Sequence, residues 1–162
     1  THLHFVELES KTDPTGFTSD THLVVVRGIV VGKDVPTAAG PLEDNPMHLD
    51  GETWCHDLFK GGMWKQTFKD NSFRKQYASQ TFTYDSAKDI FIERQPFLSW
   101  SLDENDDWQP PVTYPTITTY GEPAKNYSLT WDEAGQQWTA EDQEDPQNDF
   151  NWDPSGLTWV AI

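Results

Sequence analysis

Two segments of this 162-residue chain space their oxygens as a calcium loop does: Asp103-Glu104-Asn105-Asp106-Asp107 and Asp149-Phe150-Asn151-Trp152-Asp153. Such a loop also needs glycine at its sixth position and a bidentate Glu at its twelfth, and neither segment has them. The same residues are good turn formers, which is the reading we adopt. The five histidines, His2, His4, His22, His48 and His56, offer no pair at a helical ligand spacing beside an acid. His2 and His4 share one face of a strand. Cys55-His56-Asp57 is contiguous, and adjacent residues on a helix point apart. Three such residues neither share one metal nor make a nucleophile–base pair, so Cys55 reads as a small buried residue. Carboxylates are too frequent for any pair to stand out as acid and base. The expectation is a protein that needs no metal or cofactor and is not an enzyme.

One cluster of positive charge stands out: Lys60, Lys65, Lys69, Arg74 and Lys75, interleaved with Trp64, Phe68, Phe73 and Tyr77. That pattern has the look of a nucleic-acid surface. The net charge of −16 opposes it. Residues 1–102 carry ten basic and fourteen acidic residues, whereas residues 103–162 carry thirteen acids and only Lys125. A surface of that sign repels nucleic acid and anionic membrane, so neither is expected as a partner. The basic cluster fits an acidic protein surface instead, including this chain's own acidic half in cis or from a neighbouring subunit.

The elements that carry these residues are written as hairpins. An aromatic or large apolar residue precedes Asp, a polar turn follows, and an aromatic closes the unit. Tyr84-Asp85 leads to Phe91, Leu102-Asp103 to Trp108, Trp131-Asp132 to Trp138, and Trp152-Asp153 to Trp159. Asp opens a turn by bonding its own backbone, and Gly135 and Gly156 suit the loop. The bracketing residues should then face each other across the strands, a pairing worth about 0.5–1 kcal/mol. Eight Trp and nine Phe against only 35% hydrophobic residues point to a core built on rings.

Residues 2–9 alternate as an edge-type strand. Residues 22–31 are β-branched and nearly continuous, which predicts a central strand buried on both faces, with a bulge or bend at Arg27-Gly28. Residues 34–50 are loop-like. Asp50-Gly51-Glu52 opens a short helix near 51–60, carrying Trp54, Cys55, Leu58 and Phe59 and stopped by Gly61-Gly62. Residues 63–69 read as a strand and 73–78 as an ordered loop. Pro110 to Tyr120 reads as an extended linker, and Ala140 to Asn148 as a disordered hinge. The fold class is therefore mainly β, antiparallel hairpins and a small sheet with one short helix. Residues 1–102 form a compact body and 103–162 an acidic arm of hairpins. Its apolar tip, Trp159, Val160 and Ile162, should be docked on the body or on a neighbouring subunit. The lone Cys55 excludes an intrachain disulfide and suits assembly in a reducing cytosol. No basic-then-apolar leader and no run of roughly 18 apolar residues is present, so a soluble chain is expected.

Several strings taken together resemble a known family. They are Gly51-Glu52-x-Trp54-Cys55, Gly61-Gly62-x-Trp64-Lys65-Gln66-Thr67 and Phe73-Arg74-Lys75-x-Tyr77-Ala78. Phe82-Thr83-Tyr84-Asp85 and Asp89-x-Phe91-Ile92 follow, then Gln95-Pro96-Phe97-x-Ser99-Trp100-x-Leu102-Asp103-Glu104, Trp108, Pro111-Val112-x-Tyr114-Pro115 and Trp131-Asp132-Glu133…Trp138. The combination resembles small virion structural proteins of marine tailed phages of the cyanophage type. It spans most of residues 3–9, 23–35 and 51–138, and departs from them at 36–49 and 145–162. The resemblance implies a non-enzymatic virion component assembled in the host cytoplasm, a capsid decoration or cement protein or a part associated with tail or fibre. Its partners would be virion structural proteins or copies of itself, and it brings no catalytic residues. The alternative is a host-attachment module that stacks surface glycan on exposed Trp rings.

Overall fold

A computed structural model describes residues 2–37, 40–42 and 49–162, with residues 49 and 50 described by their backbone alone. His48, most of the insert at 36–49 and the capping side chain of Asp50 lie outside the described residues. The protein is mainly β with one helix among the described residues. It divides into two compact units, Thr1–Arg94 and Gln95–Ile162.

In the first unit β1 (His2–Thr12) and β2 (Thr21–Gly32) pair antiparallel along their whole length. The turn between them is closed by Asp13, whose Oδ1 accepts from Thr15 N (2.9 Å) and Thr15 Oγ1 (2.7 Å). A ribbon of β3 (Pro36–Thr37) and β4 (Gly40–Pro41) precedes α1 (Leu49–Leu58). Then β5 (Met63–Thr67) returns along the free side of β1, and β6 (Thr83–Asp85) and β7 (Ile90–Ile92) extend the other side. The sheet order is β5-β1-β2-β6-β7. The first strand is therefore interior and not at an edge. Its alternating pattern reflects two different covers, not one face in water.

The register slips where Glu7 faces Arg27 but Leu8 faces Val25, which leaves Val26 as the extra residue. This bulge lies beside the expected Arg27-Gly28 and explains the unbroken apolar run. It moves Val25 onto the face that carries Val6 and Leu8, while Ile29 and Val31 stay with Phe5 and Leu3. Val6, Leu8, Val25, Ala78, Tyr84 and Phe91 fill one side. Phe5, Val31, Leu42, Cys55 and Trp64 fill the other, under the helix. β2 is not buried on both faces throughout: Arg27, Gly28 and Val30 are exposed, because β6 pairs only with Leu23 and Val24.

The helix lies close to the sheet because residue 51 is glycine. A Cβ there would stand 2.4 Å from Phe5 Cζ. The helix ends at Gly61-Gly62 as expected: Gly61 N donates to His56 O at 2.8 Å, and both glycines take positive φ (139° and 93°).

The second unit is a set of hairpins. β8 (Ser101–Leu102) pairs with β9 (Trp108–Gln109), and β10 (Thr119–Tyr120) with β11 (Lys125–Asn126). Then β12 (Ser128–Asp132), β13 (Gln137–Glu141), β14 (Asp149–Asp153) and β15 (Thr158–Ala161) form a four-stranded antiparallel meander in that order. The extended segment that begins at Pro110 ends in β10, the first strand of the β10–β11 hairpin. Gly121, at φ +75°, sits at its turn.

Candidate functional site

The four aromatic-Asp units form the hairpins their spacing predicts. Tyr84 lies opposite Phe91, Leu102 opposite Trp108, Trp131 opposite Trp138, and Trp152 opposite Trp159. Ring centroids are 5.4 Å apart for Tyr84–Phe91, 5.4 Å for Trp131–Trp138 and 5.0 Å for Trp152–Trp159. The aspartates spend their oxygens on the turns. Asp103 Oδ1 accepts from Asn105 N (2.9 Å) and Asp107 N (3.0 Å), and Asp153 Oδ1 from Ser155 N (3.0 Å). Asp132 accepts from Gly135 N and Gln137 Nε2, which holds its carboxyl below the ordinary carboxylate value. Among the described residues no three His, Cys, Asp or Glu side chains converge as a metal site, and no helix is long and apolar enough to cross a membrane.

Register places the tryptophans of the meander on a single face. Thr139 opposite Asn151 sets Trp138 beside Trp152, so Trp131, Trp138, Trp152 and Trp159 form one row across four strands. Phe97, Trp100 and Val112 close over that row. The indoles are pinned at their polar ends: Trp131 Nε1 donates to Glu133 Oε2 (2.7 Å), Trp138 Nε1 to Val112 O (2.9 Å) and Trp159 Nε1 to Ile117 O (2.8 Å). The segment 110–117 is thus extended but docked, its carbonyls serving as caps for the rings. Trp131, Trp138 and Trp152 are at most 6% exposed, so they present no face on which a sugar could stack.

The stretch Ala140 to Asn148 is an ordered connection and not a hinge. Asp142 Oδ1 accepts from Glu144 N (3.1 Å) and Asn148 N (2.9 Å), and its Oδ2 from Asn148 Nδ2 (2.7 Å). Lys125 Nζ meets Glu144 at 2.6 Å, and Gln143 Nε2 donates to Asn126 O at 2.8 Å. The fourth hairpin therefore does not swing free, because the open side of β13 takes β14 as its next strand. Of the apolar tip, Trp159 is docked in its own unit, whereas Val160 and Ile162, and Leu157 just before them, are exposed. Leu157 is 55%, Val160 51% and Ile162 80% exposed. Val160 lies in the row of Thr130, Thr139 and Asn151, the polar outer face of the sheet, on β15, its outermost strand.

The basic cluster is divided among different tasks. Lys65 and Arg74 turn to Glu52 on the helix, at 3.7 Å and 2.7 Å, and Glu52 also accepts from Gln66 N at 2.9 Å. Arg74 Nε reaches Asp89 at 2.7 Å, and Tyr84 donates a short bond to the same carboxylate. Burial first, then Asp89, pushes the Tyr84 phenol up. Arg74 and Asp89 both sit at left-handed φ (53° each), a backbone state held by this network. Lys60 closes the helix at φ 60°, and Lys69 is exposed at the end of the sheet beyond β5. So the sequence neighbours do not make one patch. Cys55 is fully buried, its thiol pushed up to about 12 by burial and Glu52, while His56 and Asp57 face solvent. Glu52, the centre of this network, carries no local signal of that role, since its partners lie far along the chain. Comparison with protein-family models, curated proteins and solved structures finds no match.

Proposed function

We propose that this protein is a non-enzymatic structural component of a tailed-phage virion. It acts by contact with other virion proteins or with copies of itself. The observation that carries this reading is the edge strand β15, with Leu157, Val160 and Ile162 exposed beside it. An open edge flanked by apolar side chains is a template for strand addition. The resemblance of residues 51–138 to virion proteins supports the setting, as a capsid decoration or a part of tail or fibre. The pinned indoles and turn-bound carboxylates support a scaffold role.

The test is the pair of substitutions Val160→Lys and Ile162→Lys. Both side chains are exposed, so the melting curve should stay within about 0.5 kcal/mol of the native protein. Self-association by sedimentation, or co-sedimentation with phage particles, should be lost. A native protein that neither self-associates nor binds particles would overturn the reading, as would a double variant that does so as well as the native chain.

A further inference from the structure

A cavity of about 500 Å³ opens where β1 begins and β5 ends. Its size falls within the roughly 300–1,000 Å³ of small-ligand sites. His2, His4, Lys33 and Lys69 line it. Register gathers them: His2 faces Gly32, next to Lys33, and His4 faces Thr67, two residues before Lys69. Lys11, Arg27, Lys65, Arg74 and Lys125 are all ion-paired. Lys33 and Lys69 have no such partner among the described residues. Gln66 also lines the cavity. It is 1% exposed, and neither its side-chain nitrogen nor its oxygen has a hydrogen-bond partner among the described residues. Leu3 and Phe68 supply apolar wall. The one carboxylate of the lining, Asp70, already accepts from Ser72 N (3.0 Å) and Ser72 Oγ (2.6 Å).

We propose that this cavity binds a phosphate group, free or carried by a small molecule. Two ammonium groups supply positive charge and two imidazoles supply ring N–H donors to one space, which suits an anion with more than one charge. The unpartnered Gln66 amide offers a further donor, and the apolar wall accommodates an organic body. In a chain of net charge −16 the pairing of Lys33 with Lys69 at one cavity is a local concentration of positive charge. Burial, then Lys69 and His2, holds the His4 imidazole below its ordinary value. A bound anion screens the two cations, so His4 reports on occupancy. The site is separate from the β15 edge and does not depend on the virion reading.

The test titrates the intact protein with inorganic phosphate and, separately, AMP at constant ionic strength, following the His4 ring resonances by NMR. A saturable shift with a raised His4 pKa is expected. Lys33→Gln and Lys69→Gln should each weaken binding about tenfold, the loss of one charge-assisted hydrogen bond. Lys60→Gln, outside the cavity, should leave it unchanged. AMP binding tighter than phosphate supports a phosphorylated small molecule, and equal affinity supports free phosphate. The absence of a saturable shift with either probe overturns the proposal, and so does a Lys60→Gln effect as large as that of Lys69→Gln. Far-UV circular dichroism confirms that each variant is folded.

Discussion

Replacing Glu52 by alanine should destabilise the first unit by about 3 kcal/mol. Glu52 is 8% exposed and is the common acceptor for Gln66 N, Arg74 and Lys65. Two of these are close hydrogen bonds to a charged oxygen, at 2.9 Å and 2.7 Å. Each such bond contributes about 1.5–3 kcal/mol, so both together reach about 3–6 kcal/mol. The lower end applies because Arg74 keeps Asp89 and the Gln66 carbonyl (3.0 Å). Lys65 is partly exposed and adds little. The assay is urea unfolding, with amide hydrogen exchange at Gln66 as the local probe. Glu52→Gln should lose less than Glu52→Ala, since its amide oxygen can still accept from Gln66 N. A loss below about 1 kcal/mol in Glu52→Ala, with Gln66 exchange unchanged, would refute the network as what holds α1, β5 and the 73–78 loop together.

Two other perturbations follow from the same geometry. Gly51→Ala should destabilise by about 1–3 kcal/mol despite alanine's better helix propensity, because its Cβ would meet the Phe5 ring; calorimetry of the variant reads this. The second unit should lose stability on acidification. Hydrogen bonds from Gly135 to Asp132 and from Ser99 to Glu133 hold both carboxyls below their ordinary values in the folded protein. That stabilisation is complete above the unfolded values near about 4 and disappears as pH falls through the lower folded values. Thermal melts followed by tryptophan fluorescence from neutral to strongly acid pH should show it. Glu133→Gln should flatten the acid limb.

The hairpins were legible in the sequence because their information is local. Trp131 and Trp138 lie within one short loop of each other, and the Asp that opens the turn fixes which residues face across it. The helix stop at Gly61-Gly62 is legible for the same reason. The order of strands is not local. β1 reads as an edge strand, yet tertiary pairing with β5 and β2 places it in the interior. Ala140 to Asn148 reads as a polar hinge, and only the folded chain shows Asp142 binding Asn148 and Glu144 meeting Lys125.

The site divides along the same line. Sequence alone determined which aromatics pair, where the acidic surface lies and that Cys55 belongs inside. Tertiary structure decided that Lys65 and Arg74 turn inward to Glu52 while Lys69 joins His2, His4 and Lys33 around a cavity. It also decided that the tryptophan row is covered and that Val160 stays exposed. The physical reason is range. A turn is fixed by a few residues' dihedrals and one side-chain bond. A charge's partner, and the cover over a sheet face, depend on strands brought together from distant parts of the chain.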